Sequence, residues 1–189
     1  RYFVFVTNAS GLYRYEMNDI VEVAGLHGRT PLIRFIQKGK GVVSFTGEKL
    51  YEVQVIAAVE QALASLWGRY HFIAAVAELV DGTVPRLVFL IEFDDPIADI
   101  DGSALVDRLD AALGEKNEEY QTKRKSLRYG APIIRVIRSG EFDQYRRRMV
   151  ETGQRADGQF KILRLTSDTS FAAEFAAERD LVGGDRTSA

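Results

Sequence analysis

The sequence has 189 residues, 46% of them hydrophobic, enough for one large domain or for one domain plus a piece of another. A formal charge of −2 argues against electrostatic binding of nucleic acid, and the absence of cysteine excludes a disulfide framework and a thiolate metal site. No apolar run approaches the ~20 residues needed to span a bilayer, which argues against a membrane role, and a cysteine-free composition fits the cytoplasm.

The chain begins without Met inside a strand-like alternation, Arg1-Tyr2-Phe3-Val4-Phe5-Val6, which reads as a fragment or a processed piece. Residues 2–7 and 11–15 are predicted strands around the turn Asn8-Ala9-Ser10-Gly11. Met17-Asn18-Asp19 reads as a second turn. Residues 20–23 and 32–36 are further strands, split by a loop over 25–31. This small β part ends near Gln37. Gln37-Lys38-Gly39-Lys40-Gly41 follows, where two glycines relax the limits on φ and ψ as a hinge requires. After a short strand at 42–45, residues 50–67 carry Val55, Ile56, Val59, Leu63, Leu66 and Trp67 at helical spacing, with Gly68 as a C-cap. Strands at 71–80 and 86–93 flank an Asp81-Gly82 turn. Residues 103–125 read as one helix, 132–137 as a strand, 141–150 as a helix and 160–165 as a last extended piece. The order strand–helix–strand–strand–helix–strand is the split βαβ pattern. It predicts an α+β domain: a mixed, antiparallel-rich sheet with helices packed on one face, preceded by the small β part. The expected organisation is a β segment at 1–37 belonging to a preceding domain, a hinge at 38–41, a mobile α+β domain at 42–178, and a flexible Gly- and Asp-rich tail at 179–189.

Four places can carry chemistry. Asp19 offers a carboxylate that accepts two hydrogen bonds at once, the geometry of vicinal hydroxyls, although Asn-Asp is also ordinary turn chemistry. Lys49 stands at a helix start, where the helix dipole disfavours a cation. A bound phosphate would offset that, and the plain alternative is a solvated lysine paired with Glu48 or Glu52. Lys38 and Lys40 flank the joint. Lys161 alternates with Phe160 and Ile162, so it points away from any core those two enter. Phe35 reads as a β-layer core residue, His27 as a loop residue and His71 as a strand-entry residue. The runs Lys123-Arg124-Lys125 and Arg146-Arg147-Arg148 read as solvated helix faces. No Gly-x-x-x-x-Gly-Lys-Ser phosphate loop and no Ser/His/Asp order is present, and no metal-ligand set is complete.

Tyr13-Arg14-Tyr15-Glu16-Met17-Asn18-Asp19 resembles the Tyr-Arg-x-x-Gly-Asp signature of the acyl-adenylate-forming enzymes, with Asn18 in place of the glycine. Gly25-Leu26, the stretch from Pro31 to Phe35, and the basic joint from Lys38 to Gly41 are similar to the next segment of the auxin-responsive-promoter family, the acyl acid–amido synthetases. Gly47-Glu48-Lys49 resembles the superfamily's Gly-Glu-Arg/Lys element. Gly158-Gln159-Phe160-Lys161-Ile162-Leu163-Arg164-Leu165 resembles the family's Gln-Tyr-Lys-x-Pro-Arg block, with Leu163 for the proline. The resemblance runs from about Gly11 to Leu165.

It implies the C-terminal part of an enzyme that adenylates a carboxylic acid with ATP and Mg2+ and passes the acyl group to an amino acid. The metal and most of the nucleotide would be held by an N-terminal adenylation domain whose phosphate loop and acyl pocket have no counterpart in these residues. The implied roles are Asp19 and Lys38 at the ribose, Lys40 as the hinge pivot, Lys49 at the phosphates, and Lys161 as the catalytic cation at the α-phosphate. The isolated piece is expected to be inactive. A non-catalytic α+β module that binds a ligand or partner through its sheet remains the alternative, because a fold does not decide a function.

Overall fold

The computed structural model describes residues 2–38, 42–44, 48–66, 69–80, 82–94, 100–152 and 163–184. The chain opens with three antiparallel strands in sequence order, β1 (Tyr2–Val6), β2 (Tyr15–His27) and β3 (Thr30–Lys38). The β1–β2 connection forms as its residues dictate. The Asn8 side chain accepts from the backbone N–H groups of Ser10 and Leu12, and Gly11 takes φ +102°, a conformation that disfavours side chains. Two expectations fail in this sheet. Met17-Asn18-Asp19 is not a turn: β2 runs through it, and four steps from Glu16 to Ile20 face two steps from Phe5 to Phe3. Turn-forming residues here make a bulge in a continuous strand. The expected loop over 25–31 contracts to a tight turn at Gly28 (φ +61°), and His27 pairs with Thr30. Pro31 is accommodated because β3 is an edge strand.

A two-residue ladder, β4 (Val42–Val43) with β5 (Leu50–Tyr51), leads into α1 (Glu52–Ala62). The helix is shorter than its periodicity promised. It passes into a 3-10 turn at Ala64–Leu66, while Trp67 and Gly68 lie outside the described residues. β6 (Tyr70–Val80) and β7 (Val84–Phe93) form a long antiparallel hairpin. Then come α2 (Gly102–Lys116), α3 (Glu118–Lys125), β8 (Ile133–Ile137), α4 (Glu141–Glu151), β9 (Leu165–Thr166), a 3-10 segment (Thr169–Glu174) and β10 (Ala177–Val182). The five-stranded sheet runs β10-β8-β7-β6-β9, with β8 parallel to β7, β9 parallel to β6, and β10 antiparallel to β8. It is a mixed α+β sheet, as the split βαβ order predicts.

Helices cover both faces, not one. Ile73, Ala75, Ala77, Leu87, Phe89 and Ile91 share a core with α1, α2 and α3. Their alternates Phe72, Ala74, Val76, Val88 and Leu90 share another with Phe142 and Tyr145 of α4 and with Phe171 and Phe175. A strand buried on both faces loses the polar alternation of a half-buried one, and Phe72-Ile73-Ala74-Ala75-Val76-Ala77 has none. The single helix expected over 103–125 is two. Asn117 leaves helical geometry (φ −143°, ψ 104°), ends α2, and caps α3 by accepting from Tyr120 N at 2.8 Å. The expected tail is overturned in part: Ala177–Val182 is strand, tied to β8 by a two-pronged Arg135–Asp180 contact at 2.9 Å on each prong. Charges along that segment are the mark of an exposed edge strand, not of disorder.

Two predictions follow from the buried and edge charges. Glu92 lies on β7, buried, and its two oxygens accept from Gly140 N (2.7 Å) and Phe142 N (2.9 Å), so it caps α4 across the sheet. Glu92→Gln replaces one acceptor with a donor facing an N–H group and is expected to cost about 1–3 kcal/mol in urea unfolding. The Arg135 hydrogen bond to Asp180 holds that carboxyl below its ordinary value of 3.8. A depressed folded value gives stability that is present above the unfolded value and lost as pH falls through the folded one. The stability difference between the parent and Asp180→Asn is therefore expected to be constant near neutrality and to close in acid below 3.8.

Candidate functional site

The described residue with the clearest candidate chemistry is Lys49, on the short approach to β5 and α1. Its side chain is exposed, but its backbone is gripped from a distant part of the chain. Lys49 N donates to Glu119 Oε2 at 3.1 Å, and Lys49 O accepts from Asn117 Nδ2 at 2.9 Å. The buried Asn117 amide also donates to Gln54 Oε1 at 2.9 Å. Gln54 Oε1 in turn accepts from Tyr51 N at 3.2 Å, and Gln54 Nε2 donates to Lys116 O at 3.0 Å. One polar network thus joins the start of α1 to the α2–α3 junction, and the Asn117 side chain meets these partners donor to acceptor.

Beneath Lys49 lies Glu48, 1% exposed, paired with Lys123 Nζ at 2.7 Å. A buried pair of this kind is costly to break from one side, because the remaining charge is stranded. Tyr129 stands beside it with its hydroxyl buried and, among the described residues, without a hydrogen-bond partner. Burial first, then the Glu48 charge, pushes that phenol up. The Tyr129 ring meets Tyr120 edge-on at 5.3 Å between centroids. Tyr120 donates to Asp110 at 2.7 Å, and Arg124 grips the same carboxylate through Nε and Nη2 while Nη1 donates to Tyr129 O. The Tyr120 phenol is raised by burial and then by the Asp110 charge. These contacts correct the reading of Lys123-Arg124-Lys125 as a solvated face: its first two residues are structural. They also correct the reading of Lys49 as a partner of Glu48, since Glu48 turns inward to Lys123. Contacts spanning about seventy positions leave no local trace in the sequence.

The remaining sequence candidates fall as follows. Asp19 is partly exposed on β2 and faces Lys38 of β3 as its cross-strand neighbour, so these two meet by register. Lys40 and Lys161 lie outside the described residues. Phe35, expected in a β-layer core, is 56% exposed. His27 ends β2, and His71 contacts Phe142 edge-on with its Nε2 3.6 Å from Asp143. Among the described residues no three His, Cys, Asp or Glu groups cluster to hold a metal ion, so no residue here is assigned to Mg2+.

Residues 53–170 match the model of the GH3 family C-terminal domain, and residues 1–38 match that of the GH3 family central domain. A probable indole-3-acetic acid-amido synthetase GH3.12 of Oryza sativa subsp. japonica is 30% identical over 179 residues, covering 89% of this chain and 29% of its own length. A jasmonoyl–L-amino acid synthetase GH3.5 of the same plant is 29% identical over 171 residues, with the same coverage. Among solved structures, a GH3.15 acyl acid amido synthetase superposes with a TM-score of 0.66 at 20% identity, covering 95% of this chain and 34% of that one. At that identity the likeness speaks for the fold. The chain spans less than a third of the length of these curated relatives. The resemblance to this family is borne out. With its C-terminal domain model matched over more than half of the residues, behind a match to the preceding domain, this chain belongs to the GH3 family.

Proposed function

We propose that the chain is the C-terminal part of an ATP-dependent acyl acid–amido synthetase of the cytoplasm. The whole enzyme activates a carboxylic acid: a carboxylate oxygen attacks the α-phosphorus of ATP, and pyrophosphate leaves. The amine of an amino acid then attacks the acyl carbon, and AMP leaves. In this reading Asp19 accepts from the ribose hydroxyls with Lys38 beside it, and Lys40 is the pivot. Lys49 meets phosphate, and Lys161 neutralises the charge that develops at the α-phosphate, where a fixed cation contributes most. The family's relatives carry acyl acid or amino acid conjugation in their names, which supports this class of chemistry. Mg2+ and most ATP contacts belong to the N-terminal adenylation domain.

One observation carries the partnership with that domain. Leu32 and Ile33 are consecutive in β3, so they point to opposite faces, yet they are 52% and 61% exposed. Phe3, Phe5, Tyr13 and Leu26 are more than half exposed as well. Large apolar side chains left exposed on both faces of this sheet among the described residues support its packing against a larger body. The match of residues 1–38 to a central-domain model supports an N-terminal portion of the same enzyme as that body. No helix of the described residues is long and apolar enough to cross a membrane.

The chain by itself, given ATP, Mg2+ and assorted carboxylic acids, is expected to release no pyrophosphate; steady turnover would overturn the assignment. In a full-length GH3 enzyme bearing this C-terminal sequence, Lys161→Ala is expected to slow ATP–pyrophosphate exchange by about 100-fold. Amide formation from preformed acyl-adenylate should change far less. Equal loss in both half-reactions would remove Lys161 from its role.

A further inference from the structure

A cavity of about 280 Å³ opens between α1 and the first residues of β6. Its floor is apolar and rigid, made by Val55, Val59 and Ile73, all buried side chains of the main core. Its rim carries one acid, one phenol and one guanidinium: Glu60, Tyr70 and Arg164. Glu60 falls one residue after Val59 on the exposed flank of the helix. Arg164 is held in place twice. Its carbonyl accepts from Ala75 N at 2.8 Å, and its Nη1 donates to Ile73 O at 3.4 Å, one of the five N–H groups a guanidinium offers. Both charges act on the same phenol. Burial and then Glu60 push the Tyr70 phenol up, and Arg164 pulls it back. Among the described residues Glu60 and Arg164 form no ion pair with each other or with another group.

The size and the chemistry select a ligand class. Pockets for drug-sized ligands run from about 300 to 1,000 Å³, so 280 Å³ admits a small metabolite and not a nucleotide. A plain carboxylate would be drawn to Arg164 but repelled by Glu60, and a plain amine the reverse. A molecule with an ammonium and a carboxylate on one carbon satisfies both, and an apolar side chain on that carbon has the Val55–Val59–Ile73 floor to cover. We propose that this cavity is a binding site for a free α-amino acid with an apolar side chain, its carboxylate on Arg164 and its ammonium on Glu60. Its role as the amine that is conjugated rests on the proposed function; the binding itself does not, because it needs neither ATP nor an acyl acid.

The test is a titration of the chain with L-leucine, followed by isotope-edited nuclear magnetic resonance of the Val59 and Ile73 methyl groups. Saturable shifts are expected at those methyls. L-leucinamide, without the carboxylate, and N-acetyl-L-leucine, without the ammonium, are each expected to bind about tenfold more weakly, the scale of one charged hydrogen-bonding contact. Glu60→Gln and Arg164→Gln are expected to weaken L-leucine by a similar factor. Should Arg164→Gln disturb the fold, L-leucinamide probes the same contact in the unaltered chain. Absence of saturation with L-leucine, or equal binding of all three ligands, overturns the proposal. Saturable binding together with absent adenylation in the full-length enzyme would sink the proposed function and leave this site standing.

Discussion

The β6–β7 hairpin must be covered on both faces, and most of the fold follows from that. Its cross-strand pairs run from Tyr70–Phe93 to Val80–Val84, and from Ile73–Ile91 to Ala77–Leu87 the side chains are apolar whichever way they point. At about 25 cal/mol for each Å² of apolar surface removed from water, a strand pair of this composition cannot leave either side wet. Helices α1 and α2 cover one side. The later chain covers the other, with Phe72 stacked on Phe142 at 4.3 Å and Phe171 and Phe175 completing an aromatic cluster with Tyr145. β8 and β10 extend the sheet because β7 still has an unpaired edge to satisfy.

Apolar cover alone does not fix which helix sits where, and three buried polar contacts do. Glu92 ties β7 to the N-terminus of α4, Lys123 ties α3 to Glu48, and Asn117 ties the α2–α3 junction to Lys49 and Gln54. Each is placed where a wrong arrangement would strand a desolvated group, a penalty of about 1–3 kcal/mol for a neutral group and more for a charge. Their net contribution to stability is small beside that of the core, and their effect is on which packing is unique.

The contrast explains what could be read from the sequence. The strand and helix order was legible, because periodicity is local: Val55, Val59 and Leu63, or Leu105, Leu109, Ala112 and Leu113, announce their buried faces at helical spacing. The both-faced hairpin was legible in principle from the unbroken run Phe72 to Ala77. The break at Asn117 was not, because the residue's amide earns its place through Lys49 and Gln54, more than sixty positions away. The same holds for the bulge at Met17–Asp19, whose residues favour a turn until a neighbouring strand supplies a ladder. Of the site, the motifs singled out Lys49 and the facing pair Asp19 and Lys38, while the clamp behind Lys49 and the α1 cavity arise only when distant segments meet.

That clamp also constrains how the site can work. With its N–H on Glu119 and its carbonyl on Asn117, Lys49 cannot shift its backbone without breaking two hydrogen bonds, one of them from a buried amide. Its charge can sweep only through side-chain rotamers. Larger displacement requires α1, α2 and α3 to travel together as one packed layer, since interiors this dense move as bodies and do not deform continuously. In the proposed function, a hinge beside Lys38 would need such a rigid carrier for Lys49. Under that proposal, rotation would deliver the Lys49 cation to a nucleotide only if its seat held during the swing.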